Sequence, residues 1–506
     1  MSKKHILKSA GIIGSATVVS RVLGFVRDVL IARFFGTGRY AQAFVVAFRI
    51  PNMLRDLIGE GATNAAFVPV LSEYYQRRKR EEFWHLANVL LNVMLIVLAV
   101  VTFLGVAFAP LIVRLIAPGF IADPEKLRIT IYLTRFIFPY ILLVGLLAYS
   151  MGILNSLKHF SAPAFAPAIL NLTIIIGLLL RQGNISALAS SILIGGVIQL
   201  AVQIPVLYSK GFRFNFASGI FHPSVRRIEI LLLPRILGSC VYQINIFVNT
   251  MLASLGRIVG EGGVAALYYA NRIFQFPLAI FGIALAQAVL PTMSREALES
   301  GLEKLRETLS FSLRAVNFIM VPASFGLMVM AGPITSTLFE RGMFGSYSTS
   351  ITSNALVFYS IGLFSYAGIK ILVSCFYSLK DTVTPVKTAS ASLLLNILLG
   401  VIFMFPLKIS GLALATSISG SFNFFMLFYI LNKKIGSLGG RRIFSSFVKV
   451  FMASLVMACI VYLSAFKMGL NLFVVIFLGI VSYVLFAFIF GIREAGEFLR
   501  WALRRN

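Results

Sequence analysis

Charged side chains interrupt stretches of this chain that are otherwise apolar enough to lie in a bilayer. SRVLGFVRDVLIARFFG (20–36) carries Arg21, Arg27, Asp28 and Arg33, and FRIPNMLRDLIGEG (48–61) carries Arg49, Arg55, Asp56 and Glu60. YYANRIFQFP (268–277) carries Arg272, a later apolar run carries Lys370, and Arg135 stands just before FPY (138–140). A charge at the bilayer centre costs about 2.5–3.5 kcal/mol on insertion scales, so it normally faces a partner or a cavity. Arginine suits anion recognition there, because its fork binds phosphate oxygens bidentately and stays ionised. Arg21 and Asp28 are seven residues apart and share one helix face, whereas Arg27 lies about 120° around from Arg21. A bend at Gly24 would let both arginines face one cavity. Two readings follow for Asp28: it pairs with an arginine and locks helices together, or it orients the arginines of a cationic cavity that receives an anion. Arg33 and Arg135 are placed to snorkel to an interface.

The elements that must position these groups follow from composition. Of the 506 residues, 58% are hydrophobic and 12% charged, against roughly a quarter charged in a soluble protein. The expected fold is an all-α polytopic membrane protein. Apolar windows of about 20 residues give fourteen candidate spans: 9–36, 40–71, 85–117, 128–154, 161–181, 185–208, 228–255, 264–293, 310–338, 350–377, 384–406, 409–431, 444–466 and 470–492. With the N-terminus cytoplasmic, the basic clusters RRKR (77–80), Arg226–Arg227, Lys433–Lys434 and Arg441–Arg442 all fall inside. Both termini are then cytoplasmic, and the first span is a retained helix rather than a cleaved leader. This placement also answers the net charge of +27: it is topology and contact with anionic lipid, not nucleic acid binding. Cys240, Cys375 and Cys459 sit far apart in apolar runs, without metal spacing, and read as buried fillers. No Walker motif or nucleophile constellation marks an enzyme.

A repeat organises the spans. FVPVLSEY (67–74) resembles VLPTMSRE (289–296), and SLKHFSAP (156–163) resembles SLKDTVTP (378–385), both at an offset of 222 residues; FRIPN (48–52) and NRIFQ (271–275) match at 223. The repeat divides the chain into two parallel six-helix lobes, 1–225 and 226–440, around a central cavity, with 441–506 supplying two further helices and a tail. Such lobes rock about a central site. At this offset Gln243, Asn249 and Thr250 stand opposite Arg21, Arg27 and Asp28, so the charges belong to one lobe only. A scaffold shared by both lobes would not need that asymmetry. Pro51 and Pro277 flank the arginine-bearing stretches and read as hinges, gates or ordinary kinks. Asn171 and Asn396 read as hydrogen bonds between helices or as an ion site.

Taken together, SRVLGFVRD, ARFFG, FRIPNMLRDLIGEGA, AFVPVLSEY, FPYILL, SAPAFAP, YYANRIFQFP and FYSLKDTVTPVK resemble the MurJ (MviN) family of bacterial lipid II flippases. That family lies within the multidrug/oligosaccharidyl-lipid/polysaccharide exporter superfamily. The resemblance implies fourteen helices in the inner membrane, with the last two forming a groove for a lipid tail. It implies export of undecaprenyl-pyrophosphate-linked peptidoglycan precursor from the cytoplasmic to the periplasmic leaflet by alternating access. Residue by residue, it implies substrate contacts at Ser20, Arg21, Arg27, Asp28, Arg55 and Arg272, with Arg27, Asp28 and Arg272 as a central triad. Gly24, Arg49, Glu60, Pro51, Pro277, Lys370 and Lys449 are supporting or gating candidates. Asn271 stands where the family pattern has an aspartate, and Arg49 replaces a lysine. No cofactor is implied; the drive is the membrane potential or a cation, and no metal ligands can be placed. Partners are lipid II, membrane lipids and cell-wall synthesis proteins. The competing readings are a flippase for another polyprenyl-pyrophosphate glycan, such as an O-antigen or capsule unit, a membrane transferase or ligase acting on the same lipid, and a non-transporting scaffold of the cell-wall machinery.

Overall fold

The computed structural model describes residues 3–55, 63–216, 223–299 and 302–497, and among these there is helix and no strand. The chain forms two compact units, one comprising 1–255 with 341–344 and the other 256–340 with 345–506.

In the first unit, α1 (Lys3–Phe35), α2 (Arg39–Arg55), α3 (Thr63–Arg77), α4 (Arg80–Ala107) and α5 (Ala109–Ile116) lead into a 3₁₀ turn, Pro118–Ala122. Then come α6 (Pro124–Ile137), α7 (Tyr140–Ser156), α8 (Ser161–Leu180), α9 (Ile185–Ser209) and α10 (Pro223–Ala253). Water is absent from a bilayer core, so apolar sequence there must satisfy its backbone internally, which a helix does. The ends are closed by side chains: Asp123 accepts from the Lys126 amide at 3.0 Å to start α6, and Asn184 from Ser186 and Ala187 to start α9. Phe67, Leu71, Phe83, Leu86 and Tyr149 lie in one buried cluster, and the Tyr149 hydroxyl donates to the Ala87 carbonyl at 2.7 Å.

In the second unit, α11 (Gly256–Val259) and α12 (Gly263–Pro277) precede a π-helical stretch, Leu278–Ile283. The remainder is α13 (Ala284–Glu296), α14 (Glu303–Val329), α15 (Ala331–Phe339), α16 (Ser346–Ile361), α17 (Leu363–Ser378), α18 (Val383–Ile435), α19 (Gly440–Tyr462) and α20 (Leu472–Ile489). α18 is two helices that turn at Lys408 (φ 53°, ψ −132°), which matches the break between the windows 384–406 and 409–431. Phe318, Val321, Val450, Met457, Val475 and Tyr483 share one core, so α14, α19 and α20 pack together. An ion pair between Arg314 and the buried Glu494 adds to that attachment.

Among the described residues nine helices are long and apolar enough to cross a membrane; α16 and α17, bent by 46°, qualify together as one further broken span. α1 is outside that set and bears the four charges of 20–36.

The 222-residue repeat is visible element by element. α4 and α14 end at 107 and 329, α5 and α15 begin at 109 and 331, α7 and α17 end at 156 and 378, and α8 and α18 begin at 161 and 383. The SLK tripeptides explain one of these matches. Lys158 (φ 61°) and Lys380 (φ 60°) both take the left-handed conformation that ends a helix. Lys158 donates its amide to Asn155 and His159 donates to Leu154, while Lys380 and Asp381 do the same to Tyr377 and Phe376. That is the paired hydrogen-bond pattern of a Schellman cap, built twice with lysine in the place usually taken by glycine.

Of the three cysteines, Cys375 is buried as expected, Cys240 is half-buried and Cys459 is exposed. Cys459 therefore is not a buried filler; it lies on an outward face of α19, where an apolar thiol is compatible with lipid.

Candidate functional site

Arg27 and Asp28 are buried side by side on α1, 7% and 2% exposed. The Arg27 guanidinium folds back onto its sequence neighbour: Nε and Nη2 donate to the same oxygen, Asp28 Oδ1, at 3.0 and 2.8 Å. Adjacent helix positions do not ordinarily face each other, but a long side chain cut off from water takes the carboxylate within reach. Nη1 donates to Asn171 Oδ1 on α8 at 2.9 Å. Asn171 in turn donates from Nδ2 to the Ser20 carbonyl at 3.0 Å. Gly24 makes this approach feasible, since a Cβ there would lie 3.3 Å from Asn171 Nδ2. Ser20, Gly24, Arg27 and Asp28 are thus brought together on one helix, and Asn171 of α8 bonds both the Arg27 side chain and the Ser20 carbonyl.

Arg21 is exposed while Arg27 is buried, so the two guanidiniums occupy different environments. On α2, Pro51 is buried and Arg49 and Arg55 are half-buried. Glu60, with Asp56, lies outside the described residues. Tyr140, at the start of α7, was not singled out by sequence reasoning, although the FPY tripeptide contains it. It is fully buried, its ring centroid is 6.1 Å from that of Phe48, and its hydroxyl lies within electrostatic reach of Arg55 and Arg27.

In the second unit Arg272 is half-buried on α12. Its guanidinium sits 5.1 Å above the Tyr268 ring, and Nη2 donates to the Tyr268 hydroxyl at 3.2 Å. Pro277 closes α12, where the helix widens into the π-helical stretch. Lys370 is exposed on α17 and pairs with no carboxylate among the described residues. Lys449 is exposed on α19, with Nζ 3.4 Å from the Gly491 carbonyl. The repeat counterparts of Arg27 and Asp28 bond within their own helix: Asn249 donates to Asn245 Oδ1 at 3.1 Å and Thr250 to the Ile246 carbonyl at 2.7 Å. Asn396 accepts from Ser419 at 3.4 Å. Among the described residues no group of three or more histidine, cysteine or carboxylate side chains is placed to hold a metal ion.

A buried arginine–carboxylate–amide cluster in an apolar helix, within a repeated all-α fold, is an arrangement to be compared with known proteins. The family model described as lipid II flippase MurJ matches residues 31–484. The chain belongs to this family. A relative from Buchnera aphidicola (subsp. Acyrthosiphon pisum), named a probable lipid II flippase MurJ, is 34% identical over 98% of this chain and 99% of its own length. The lipid II flippase MurJ of Burkholderia cenocepacia is also 34% identical, over 83% of this chain and 82% of its own. A solved structure of lipid II flippase MurJ in an inward closed conformation superposes with a TM-score of 0.81 at 29% identity, covering 94% of this chain and 98% of that one. An inward-facing MATE transporter of the MOP superfamily follows at 0.69 and 16% identity, covering 83% and 95%, which extends the likeness of fold alone. MurJ membership makes the chain a multi-pass membrane protein.

Proposed function

We propose that this chain carries lipid II from the cytoplasmic to the periplasmic leaflet of the bacterial cytoplasmic membrane by alternating access. The observation that carries the reading is the match to lipid II flippase MurJ along nearly the whole chain. The buried Arg27 cluster supplies the chemistry. Arg27 is held by one carboxylate oxygen and one amide oxygen, and a pyrophosphate is a more highly charged acceptor for the same fork. Exchange of Asp28 and Asn171 for phosphate oxygens leaves Asp28 to meet the remaining cations, and Arg21 and Arg55 add to the positive field. The polyprenyl tail stays in lipid along α19 and α20, whose outward faces expose Phe451, Phe473 and Phe477. Outward movement of an anion is favoured by an inside-negative potential by about 2.3 kcal/mol per charge per 100 mV, which makes the potential a sufficient drive. The reaction is movement without bond making or breaking, and both termini are cytoplasmic.

Complementation tests the substrate. Cells depleted of their own lipid II flippase should be rescued by the wild-type chain. Failure of a well-expressed wild-type protein to rescue would favour a different polyprenyl-linked glycan.

A further inference from the structure

Four buried polar atoms of the first unit are left over by its packing. Tyr140, at the start of α7, and Gln203 on α9 are both 0% exposed, and Gln199, one turn before Gln203, is 2% exposed. Among the described residues the Tyr140 hydroxyl, Gln199 Oε1 and both ends of the Gln203 amide have no hydrogen-bond partner. Only Gln199 Nε2 is satisfied, donating to the Ala166 carbonyl of α8 at 2.6 Å. The segments that hold these residues are apolar enough to cross a membrane. At that depth an unsatisfied polar group costs several kcal/mol, because bulk water cannot replace the missing partner.

The helices bring these atoms to one seam. Gly196, Gln199 and Gln203 fall at i, i+3 and i+7 and share a face of α9. At Gly196 that face meets α7: a Cβ there would lie 3.1 Å from the Tyr140 ring and 2.9 Å from Leu143. α8 runs past α9 in the opposite direction, since Gly177 meets Ser191, Gly195 meets Leu170 and Gln199 meets Ala166. The next step of this register sets Gln203 opposite Pro163. Pro167 has no N–H to give the Pro163 carbonyl. A backbone acceptor without its intrahelical donor therefore faces an amide without a partner, and the two do not bond directly. One turn further along α9, Leu207 packs with Tyr149 and Ile153 in the buried apolar cluster and closes the seam at that end.

We propose that the seam between α7, α8 and α9 is a binding site for ordered water, held by Tyr140, Gln199, Gln203 and the Pro163 carbonyl. The choice of ligand follows from the groups present. They include acceptors and, at the nitrogen end of the Gln203 amide, a donor. Water satisfies both kinds, whereas a metal cation satisfies only the acceptors. Arg27 and Arg55, within electrostatic reach of the Tyr140 hydroxyl, disfavour a cation further. A buried water typically makes about three hydrogen bonds to otherwise unsatisfied groups, so about two molecules serve this set. The consequence for the transporter is that the Tyr140 hydroxyl stays solvated within reach of Arg27 and Arg55 although bulk solvent does not touch it. The inference rests on the packing of the first unit, and on neither the substrate nor the direction of transport.

The test is radiolytic hydroxyl-radical labelling of the full-length protein in nanodiscs, read by mass spectrometry. Radicals formed from a bound water oxidise the ring beside it even where bulk solvent is excluded. Tyr149 is the dry control, because it is 2% exposed and its hydroxyl already donates to the Ala87 carbonyl. Tyr140 should be oxidised severalfold faster than Tyr149; equal rates overturn the proposal. Gln203→Met keeps the length of the side chain but offers neither donor nor acceptor. It should slow Tyr140 oxidation and lower Tm by a few degrees, since the water loses partners. A dry seam predicts the reverse, because exchanging an orphaned amide for an apolar chain then stabilises; a raised Tm overturns the proposal. A parent Tm that climbs when sodium or potassium replaces choline, with no such climb in Gln203→Met, would assign the site to a monovalent cation and overturn the water. If Gln203→Met does not accumulate, the comparison of Tyr140 with Tyr149 in the parent decides alone. Failed complementation would remove the lipid II assignment and leave this result standing, because labelling reads bound water rather than transport.

Discussion

Asn171 is the most economical place to test how the charged helix is held. Asn171→Ala removes two interactions at once: the hydrogen bond from Arg27 Nη1 at 2.9 Å and the one Asn171 donates to the Ser20 carbonyl at 3.0 Å. The first involves a charged donor and is worth about 1.5–3 kcal/mol; the second is neutral and worth about 1. Both vanish inside a region where Arg27 and Asn171 are each 7% exposed, so solvent replaces them poorly. The two bonds share one side chain and will not add fully, giving an expected loss of about 2–3 kcal/mol. The shift in Tm per kcal/mol shrinks with chain length, so unfolding in detergent should fall by only a few degrees. Asn171→Asp separates the two interactions: it keeps the acceptor for Arg27 but loses the donor to the Ser20 carbonyl and turns a carboxylate oxygen towards it. It should therefore lower Tm as well, and it should reduce transport because the arginine is then neutralised from both sides. Unchanged Tm in Asn171→Ala would show that α1 is not pinned to α8 through Arg27 and would refute this description of the cluster.

Other consequences can be measured independently. Asp381 caps the start of α18 outside the spans: burial alone would raise its carboxyl, but hydrogen bonds from Lys434 at 2.5 Å and from Thr384 hold it down at about 2. A depressed carboxyl stabilises above its ordinary value and loses that contribution as pH falls through the folded value. Asp381→Asn should therefore lower Tm by a constant amount from pH 8 to 5, with the gap closing between about pH 4 and 2; a gap independent of pH throughout would contradict the ion pair. Arg314→Ala leaves Glu494, 5% exposed, without its cation, and should cost about 3–5 kcal/mol, read as early protease cleavage near α19 and α20. Glu494→Gln should cost less, because its amide can still meet Ser446, which donates to Glu494 Oε2 at 3.3 Å. Gly105→Ala should destabilise by about 1–3 kcal/mol, since its Cβ would fall 1.7 Å from the Phe138 ring, whereas Gly326→Ala on α14, with open space around it, should be neutral or mildly stabilising in the same Tm assay.

Much of the architecture was legible because membrane helices advertise themselves by apolar runs and because the chain repeats. SLKHFSAP and SLKDTVTP were legible as a repeat, and the structure builds the same Schellman cap in both, 222 residues apart. The gap between the windows 384–406 and 409–431 marked the turn that splits α18 at Lys408. The charged residues were also legible as anomalies, since an apolar setting makes each of them expensive. Their partners were not. Arg27 meets Asn171 across 144 residues of sequence, and nothing in SAPAFAPAILNLT says which helix face that asparagine presents. Heptad spacing aligned Asp28 with Arg21, but proximity along the chain won, and Asp28 bonds Arg27 instead.

The central claim is that this chain moves lipid II through a site organised by Arg27. The most direct measurement is translocation of lipid II across proteoliposomes containing the purified protein, comparing wild type, Arg27→Ala and Arg27→Lys at equal reconstitution. The account predicts movement well above protein-free vesicles for wild type, near-complete loss in Arg27→Ala, and partial activity in Arg27→Lys, which keeps charge but not the bidentate fork. Wild-type movement no faster than in empty vesicles, or an Arg27→Ala rate equal to wild type, would contradict it.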